Sequence, residues 1–140
     1  MNNTAAAAPT GQHPMVLLAG RILIGAIFLN AGLRKVLGFA GTIGYFTKLG
    51  FPAPEVFTVL AIIIEVGGAI LLIVGWKTRW VAWLLSLFVL IAAFAAHRFW
   101  EFDAAQYANQ MNHFLKNLAI IGGLLFVASF GPGSISVDKS

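Results

Sequence analysis

One carboxylate sits in the middle of an apolar run long enough to cross a bilayer: Ala61-Ile62-Ile63-Ile64-Glu65-Val66-Gly67-Gly68-Ala69-Ile70-Leu71-Leu72. On insertion scales a charge at the centre of a membrane helix costs about 2.5–3.5 kcal/mol, so it persists where it is paired or used. Arg21, set inside the first apolar run, is the candidate partner. If the two runs are antiparallel helices with level ends, Arg21 lies roughly 10 Å and Glu65 roughly 15 Å from the same surface, at 1.5 Å of rise per residue. Arginine is long enough to bridge that offset. The expected buried charge pair, Arg21 with Glu65, has two readings: a clamp that holds helix register, or a proton-linked or ligand-binding site.

A second set of residues, Lys35, His97, His113, Lys116 and Asn117, falls towards the opposite ends of the apolar runs. Lysine and histidine beside a hydrophobic cavity can donate hydrogen bonds to the carbonyl oxygens of a quinone-like ring, which makes these five the ligand-binding candidates. The competing reading is lysines that snorkel to the surface and histidines at headgroup level. His97 and His113 lack the spacing of a metal site, so no metal is expected. No residue declares itself catalytic: there is no phosphate-binding glycine loop, serine triad or zinc-spaced histidine motif. The chain has no cysteine. It therefore supplies no disulfide, thiolate nucleophile or thiolate-held iron–sulfur cluster of its own.

These side chains need an apolar frame, and the composition provides one. Of 140 residues, 59% are hydrophobic and 10% charged, and the mean hydropathy is +0.87. A water-soluble domain carries roughly 25% charged residues, so this chain cannot cover a water-facing surface and reads as an integral membrane protein of one domain. The net charge of +4 lies near segment ends, where it suits lipid headgroups; no basic run suggests nucleic acid.

In chain order, residues 1–14 form a polar tail without lysine or arginine, expected to be disordered, and lack the basic n-region of a secretory signal. The first helix is expected over about 15–37, with Arg21, Gly25, Phe28, Gly32 and Lys35 on one face and Asn30 on the opposite one. Residues 38–54 are too rich in glycine and proline to continue the span. Phe39, Ile43, Phe46 and Leu49 recur there at the spacing of a short interfacial helix. The second helix is expected over 55–74, with Thr58, Ala61, Glu65, Gly68, Leu72 and Gly75 on one stripe. A tight turn with Trp76, Lys77, Arg79 and Trp80 leads to a third helix over 80–97. A connection over 98–112 and a fourth helix over 112–130 follow, ended by Gly131-Pro132-Gly133 and a polar tail over 134–140. The fold class is all-α: an antiparallel bundle of four transmembrane helices, with the membrane domain spanning 15–133. The positive-inside bias places the two long connections in the cytoplasm and both termini in the periplasm.

Arg21…Gly25-x-x-Phe28-x-x-Ala31-Gly32-x-x-Lys35, then Glu65-x-x-Gly68-x-x-Leu71-x-x-x-Gly75-x-x-Thr78-Arg79, resembles the DoxX family. The ending Phe114-x-Lys116-Asn117-Leu118…Gly122-Gly123…Gly131-Pro132-Gly133-x-Ile135-Ser136-x-Asp138 strengthens the likeness, which covers nearly the whole chain. The resemblance implies four helices in a bacterial cytoplasmic (inner) membrane, multi-pass, and relatives that include subunits of quinone-linked oxidoreductases. The leading expectation is a quinone-linked membrane redox subunit, with quinone as its cofactor, a soluble or membrane redox partner, and the bilayer as its surroundings. Whether the chain is itself an enzyme stays open. The alternatives are a non-enzymatic membrane anchor, scaffold or assembly partner, and a small-solute transporter that would need a homo-oligomer to build a conduit.

Overall fold

The computed structural model describes residues 13–138. Most of the polar tail expected over 1–14, and residues 139–140, lie outside that range. The elements are helix α1 (Pro14–Leu37), helix α2 (Phe39–Lys48), helix α3 (Pro54–Val74), helix α4 (Thr78–Ala96), and helix α5 (Ala104–Phe130). A short 3-10 turn (Phe99–Glu101) lies between the last two. All but α2 belong to segments long and apolar enough to cross a membrane, which makes four spans.

The spans form a ring in which α1 packs on α3, α3 on α4, α4 on α5 and α5 back on α1. The most extensive seam joins α4 to α5, and the next joins α1 to α3. Phe28, Leu72, Leu85 and Leu124, one from each span, meet in the buried centre with Ala69, Ala82 and Val89 around them. Large apolar side chains elsewhere face outward, as at Leu23, Ile63, Leu87 and Phe126. In water that surface would drive aggregation; in a bilayer it is the solvated face. The stripe on α3 is as the helical spacing requires, with Thr58, Ala61, Glu65, Gly68, Leu72 and Gly75 all buried. The buried hydroxyls of Thr58 and Ser86 are satisfied within their own helices, donating to Pro54 O and Ala82 O, both at 2.8 Å.

Three boundaries differ from the sequence reading. Helix α4 begins at Thr78 and α5 at Ala104, so most of the expected 98–112 connection is helical. Asp103 starts α5 early, because its carboxylate accepts from the Gln106 N–H at 3.1 Å and caps the first turn. The third difference is a π-turn at Ile63–Gly67 inside α3, which carries Glu65.

The end of the bundle where α1 begins is held by charges set on helix termini. Arg21, 1% exposed, donates to the carbonyls of Leu72 at 3.3 Å and Ile73 at 2.9 Å, and also to that of Ile135. Arg79 does the same for α5, donating to Ala128 O at 2.7 Å and Ser129 O at 2.6 Å. Cations placed on the free carbonyls of a helix C-terminus also meet the negative end of its dipole. Gly75 ends α3 at φ +75, and a Cβ there would collide with the Arg21 guanidinium, so glycine serves both the turn and the clamp.

The segment after α5, expected as a polar tail, is instead a docked strap. Val137 N–H donates to Val74 O at 3.1 Å and Asp138 N–H to Gly75 O at 2.7 Å. The Asp138 carboxylate then caps α4, accepting from Lys77 N–H, Thr78 N–H and the Thr78 hydroxyl, each at 2.8 Å. Partial burial pushes the Asp138 carboxyl up. The hydrogen bonds from Thr78 and Lys77 and the Lys77 charge outweigh that effect and hold it below the usual carboxylate range. Because the folded pKa is depressed, Asp138 contributes stability above its unfolded value of about 3.9 and loses it as the pH falls through the lower folded value. Asp138→Asn is expected to destabilise the detergent-solubilised protein at neutral pH by about 1 kcal/mol, as loss of a helix cap does. In thermal unfolding taken downward from pH 5, the wild type's advantage over the variant begins to shrink at about pH 3.9 and is lost as the pH falls through the depressed folded value. An advantage that does not shrink at all below about pH 3.9 contradicts the strap's role.

Candidate functional site

Glu65 and Arg21 are not paired. The sequence reading assumed that α1 and α3 have level ends, and the packing shows that they do not. Gly25 lies against Ile73 and Ala69, and Gly32 against Val66 and Glu65. Glu65 is therefore level with Gly32, and eleven residues of helix, about 16 Å, separate that level from Arg21. Helix α1 overhangs the end of α3, which is why Arg21 folds over the terminal carbonyls and why the strap can fill the space beside it.

The partner of Glu65 is Lys35, one turn beyond Gly32. The ammonium sits 3.0 Å from Oε1 and 2.9 Å from Oε2. Only the contact to Oε1 has hydrogen-bonding geometry, so Oε2, buried, keeps an unfilled acceptor position. Glu65 is 5% exposed, whereas a quarter of the Lys35 side chain is accessible. Close helix approach makes the pair possible: a Cβ on Gly32 would come within 2.6 Å of Val66 Cγ2 and 3.2 Å of Glu65 Cβ. The π-turn places Glu65 on the same stretch, and such turns widen a helix by one residue at sites that bind or react.

The ion pair forms part of the wall of a cavity of about 420 Å³ between the spans. That volume lies within the roughly 300–1,000 Å³ of small-molecule sites. Apolar side chains line most of it, among them Phe28, Ala61, Ile64, Val89 and Ile120. Helix α2 crosses one side, and Tyr45, Phe46, Phe51 and Phe57 make a chain of ring contacts with centroids 6.1, 5.2 and 4.9 Å apart. Tyr45 lies outside the spans, and burial pushes its hydroxyl pKa up, so it remains a neutral donor.

Four of the five ligand candidates, Lys35, His97, Lys116 and Asn117, line this cavity, along with Glu65. His113 does not: it stacks on His97 with centroids 5.0 Å apart and approaches Lys116 Nζ through Nδ1 at 3.3 Å. His97 is oriented by Nδ1 donating to Gln110 Oε1 at 2.9 Å. Among the described residues, no group of three or more histidine, aspartate or glutamate side chains could hold a metal ion. Sequence reasoning passed over Gln110, Tyr45 and the pairing of Lys35 with Glu65. Helical spacing puts Lys35 on the inward stripe of α1, but without the helix register nothing connects it to Glu65.

The DoxX family model matches residues 16–98, from the start of α1 to the end of α4, which takes in both partners of the ion pair. The chain belongs to the DoxX family. The Escherichia coli K12 inner membrane proteins YphA and YqjF are both 37% identical to it, YphA over 91% of each chain and YqjF over 88% of this chain and 89% of its own. The yeast ER-derived vesicles protein ERV29 is 30% identical over 89% of this chain and 33% of its own length. No solved structure matches. With four apolar spans and these homologues, this DoxX protein is a multi-pass integral inner-membrane protein.

Removing Lys35 alone leaves Glu65 as an unpaired charge in an apolar wall. Lys35→Met is expected to cost about 3 kcal/mol, the lower end for breaking a buried pair, because Lys35 is partly accessible. The double variant Lys35→Met/Glu65→Leu recovers most of that loss. Unfolding in mixed micelles measures both, and additive losses in the double variant contradict the pairing.

Proposed function

We propose that this DoxX protein is a quinone-linked membrane subunit that holds the quinone head in the cavity beside Lys35 and Glu65. The observation that carries the reading is an apolar cavity of about 420 Å³ whose few polar groups are the Lys35–Glu65 pair, His97 and the donors of Tyr45, Lys116 and Asn117. The residues suit such a ligand. A quinone head is flat and apolar, with carbonyl oxygens at opposite edges. Aromatic and aliphatic walls accept the ring, while Lys116, Asn117 and Lys35 offer N–H donors to the carbonyls. Bound there, the quinone supplies two-electron, two-proton redox chemistry. Glu65 positions the Lys35 ammonium, and its unfilled Oε2 can hold a proton at the cavity wall.

The chain contains no cysteine, so a thiolate-held cluster would have to come from a soluble or membrane redox partner. The cavity end carries Arg34, Lys35, Lys48, Arg98 and Lys116, against Arg21, Lys77 and Arg79 among the described residues at the other end. By the positive-inside rule that imbalance supports a cavity end on the cytoplasmic side, with both termini periplasmic.

Mass spectrometry of lipophilic molecules from gently purified protein tests this reading. Wild type is expected to retain quinone near one per chain, and Glu65→Gln and Lys116→Ala to retain about tenfold less. Protein that carries only phospholipid, and does not take up added quinone, overturns the redox reading. Retention of a stoichiometric membrane or soluble partner by such quinone-free protein would favour an anchor or scaffold instead.

A further inference from the structure

Beside the cavity lies a second hollow of different character, a cleft of about 380 Å³ between α1, α2 and α5. Its polar lining is Asn30, Arg34, Lys35, Thr42 and Lys116, and no carboxylate faces it. Lys35 is neutralised from the far side by Glu65, which lines the cavity but not the cleft. Arg34 is exposed and, among the described residues, takes part in neither ion pair. Lys116 has only a histidine nitrogen at 3.3 Å. The Thr42 hydroxyl proton is spent on Gly38 O at 3.0 Å. The available donors are thus the Arg34 guanidinium, the Lys116 ammonium and the Asn30 amide.

We infer that this cleft seats the phosphate oxyanion of an anionic membrane phospholipid, with its acyl chain lying along the exposed face of α1. The charge balance calls for an anion, and guanidinium with ammonium is the donor set that phosphate oxygens accept best. Asn30 adds a separate observation. It is exposed on a spanning helix, one turn deeper than Arg34 and near the exposed Ile27 and Leu33. An amide facing hydrocarbon alone is costly, whereas an amide donating to a headgroup is satisfied. Ile27 lines the cleft as well and gives the acyl chain an apolar path out of it. A free phosphate would use the arginine and lysine but leave Asn30 and Ile27 without a role. Basic pockets between membrane helices hold anionic headgroups by this chemistry. The inference does not depend on quinone occupying the neighbouring cavity.

Native mass spectrometry in a neutral detergent tests it, with equimolar phosphatidylglycerol and phosphatidylcholine added to delipidated full-length protein. One phosphatidylglycerol is expected to be retained in preference to phosphatidylcholine. Asn30→Leu, a change suited to a lipid-facing helix, and Arg34→Gln each weaken retention about tenfold, while Arg34→Lys restores part of it. Displacement of the lipid by millimolar inorganic phosphate confirms the oxyanion seat. Phosphate binding without any preference between the two lipids overturns the lipid assignment in favour of a soluble anion. Equal retention of both lipids with no phosphate binding, or retention unchanged in both Asn30→Leu and Arg34→Gln, overturns the site. Adding quinone to the same samples separates the two proposals: protein that takes up no added quinone but still selects phosphatidylglycerol refutes only the redox reading.

Discussion

Hydrocarbon offers a charge no water, and each buried charge among the described residues sits where protein atoms replace that water. Buried Arg21 takes the free carbonyls at the end of α3, as the exposed Arg79 does at the end of α5. Glu65 takes Lys35. These arrangements are not equivalent. A guanidinium on helix-terminal carbonyls satisfies donors and acceptors that would otherwise both go unpaired, although the buried Nε of Arg21 finds no acceptor. A carboxylate against a single ammonium leaves lone pairs, and here Oε2 is buried without a full hydrogen bond. The two ends differ in surroundings: helix-terminal carbonyls and the strap enclose the Arg21 guanidinium, whereas Glu65 and Lys35 face a cavity.

The two ends also differ in how they are built. Around Arg21 the chain adds material: the strap over residues 131–138 docks on the turn after α3, supplies a carbonyl to Arg21 and caps α4 through Asp138. Around Glu65 it removes material. Gly32 lets α1 approach, the π-turn loosens α3, and helix α2 lies beside the mouth of a cavity where four spans could have closed on leucine. A rigid end with a hollow opposite is the arrangement expected of a ligand site, because the frame is fixed where nothing needs to enter.

Much of this frame is legible in the sequence. The small-residue and polar stripe from Thr58 to Gly75 follows from helical spacing alone, and so does the inward face of α1 through Arg21, Gly25, Phe28 and Gly32, all buried. The pairing of charges does not follow. Spacing gives the order of residues along each helix but not how far one helix slides past another, and that slide decided between Arg21 and Lys35. It is set by side-chain contacts such as Gly25 on Ile73 and Gly32 on Val66, which no single helix reveals. The π-turn has no compositional signature, and the docking of Val137 and Asp138 depends on partners about sixty residues away in the chain. Asp103 was the readable signal that was passed over, since an aspartate before an alanine-rich helical run is a cap.

The most direct test of the central claim, that the Lys35–Glu65 pair forms part of the wall of a ligand site, is infrared difference spectroscopy of reconstituted protein on addition of quinone. The carboxylate band of Glu65 is assigned by its loss in Glu65→Gln. It is predicted to be present in the ligand-free protein and to shift when quinone is added, because the ligand enters beside the ammonium that holds it. A band that does not respond to quinone, or a quinone-induced difference spectrum that persists unchanged in Glu65→Gln, would contradict the account.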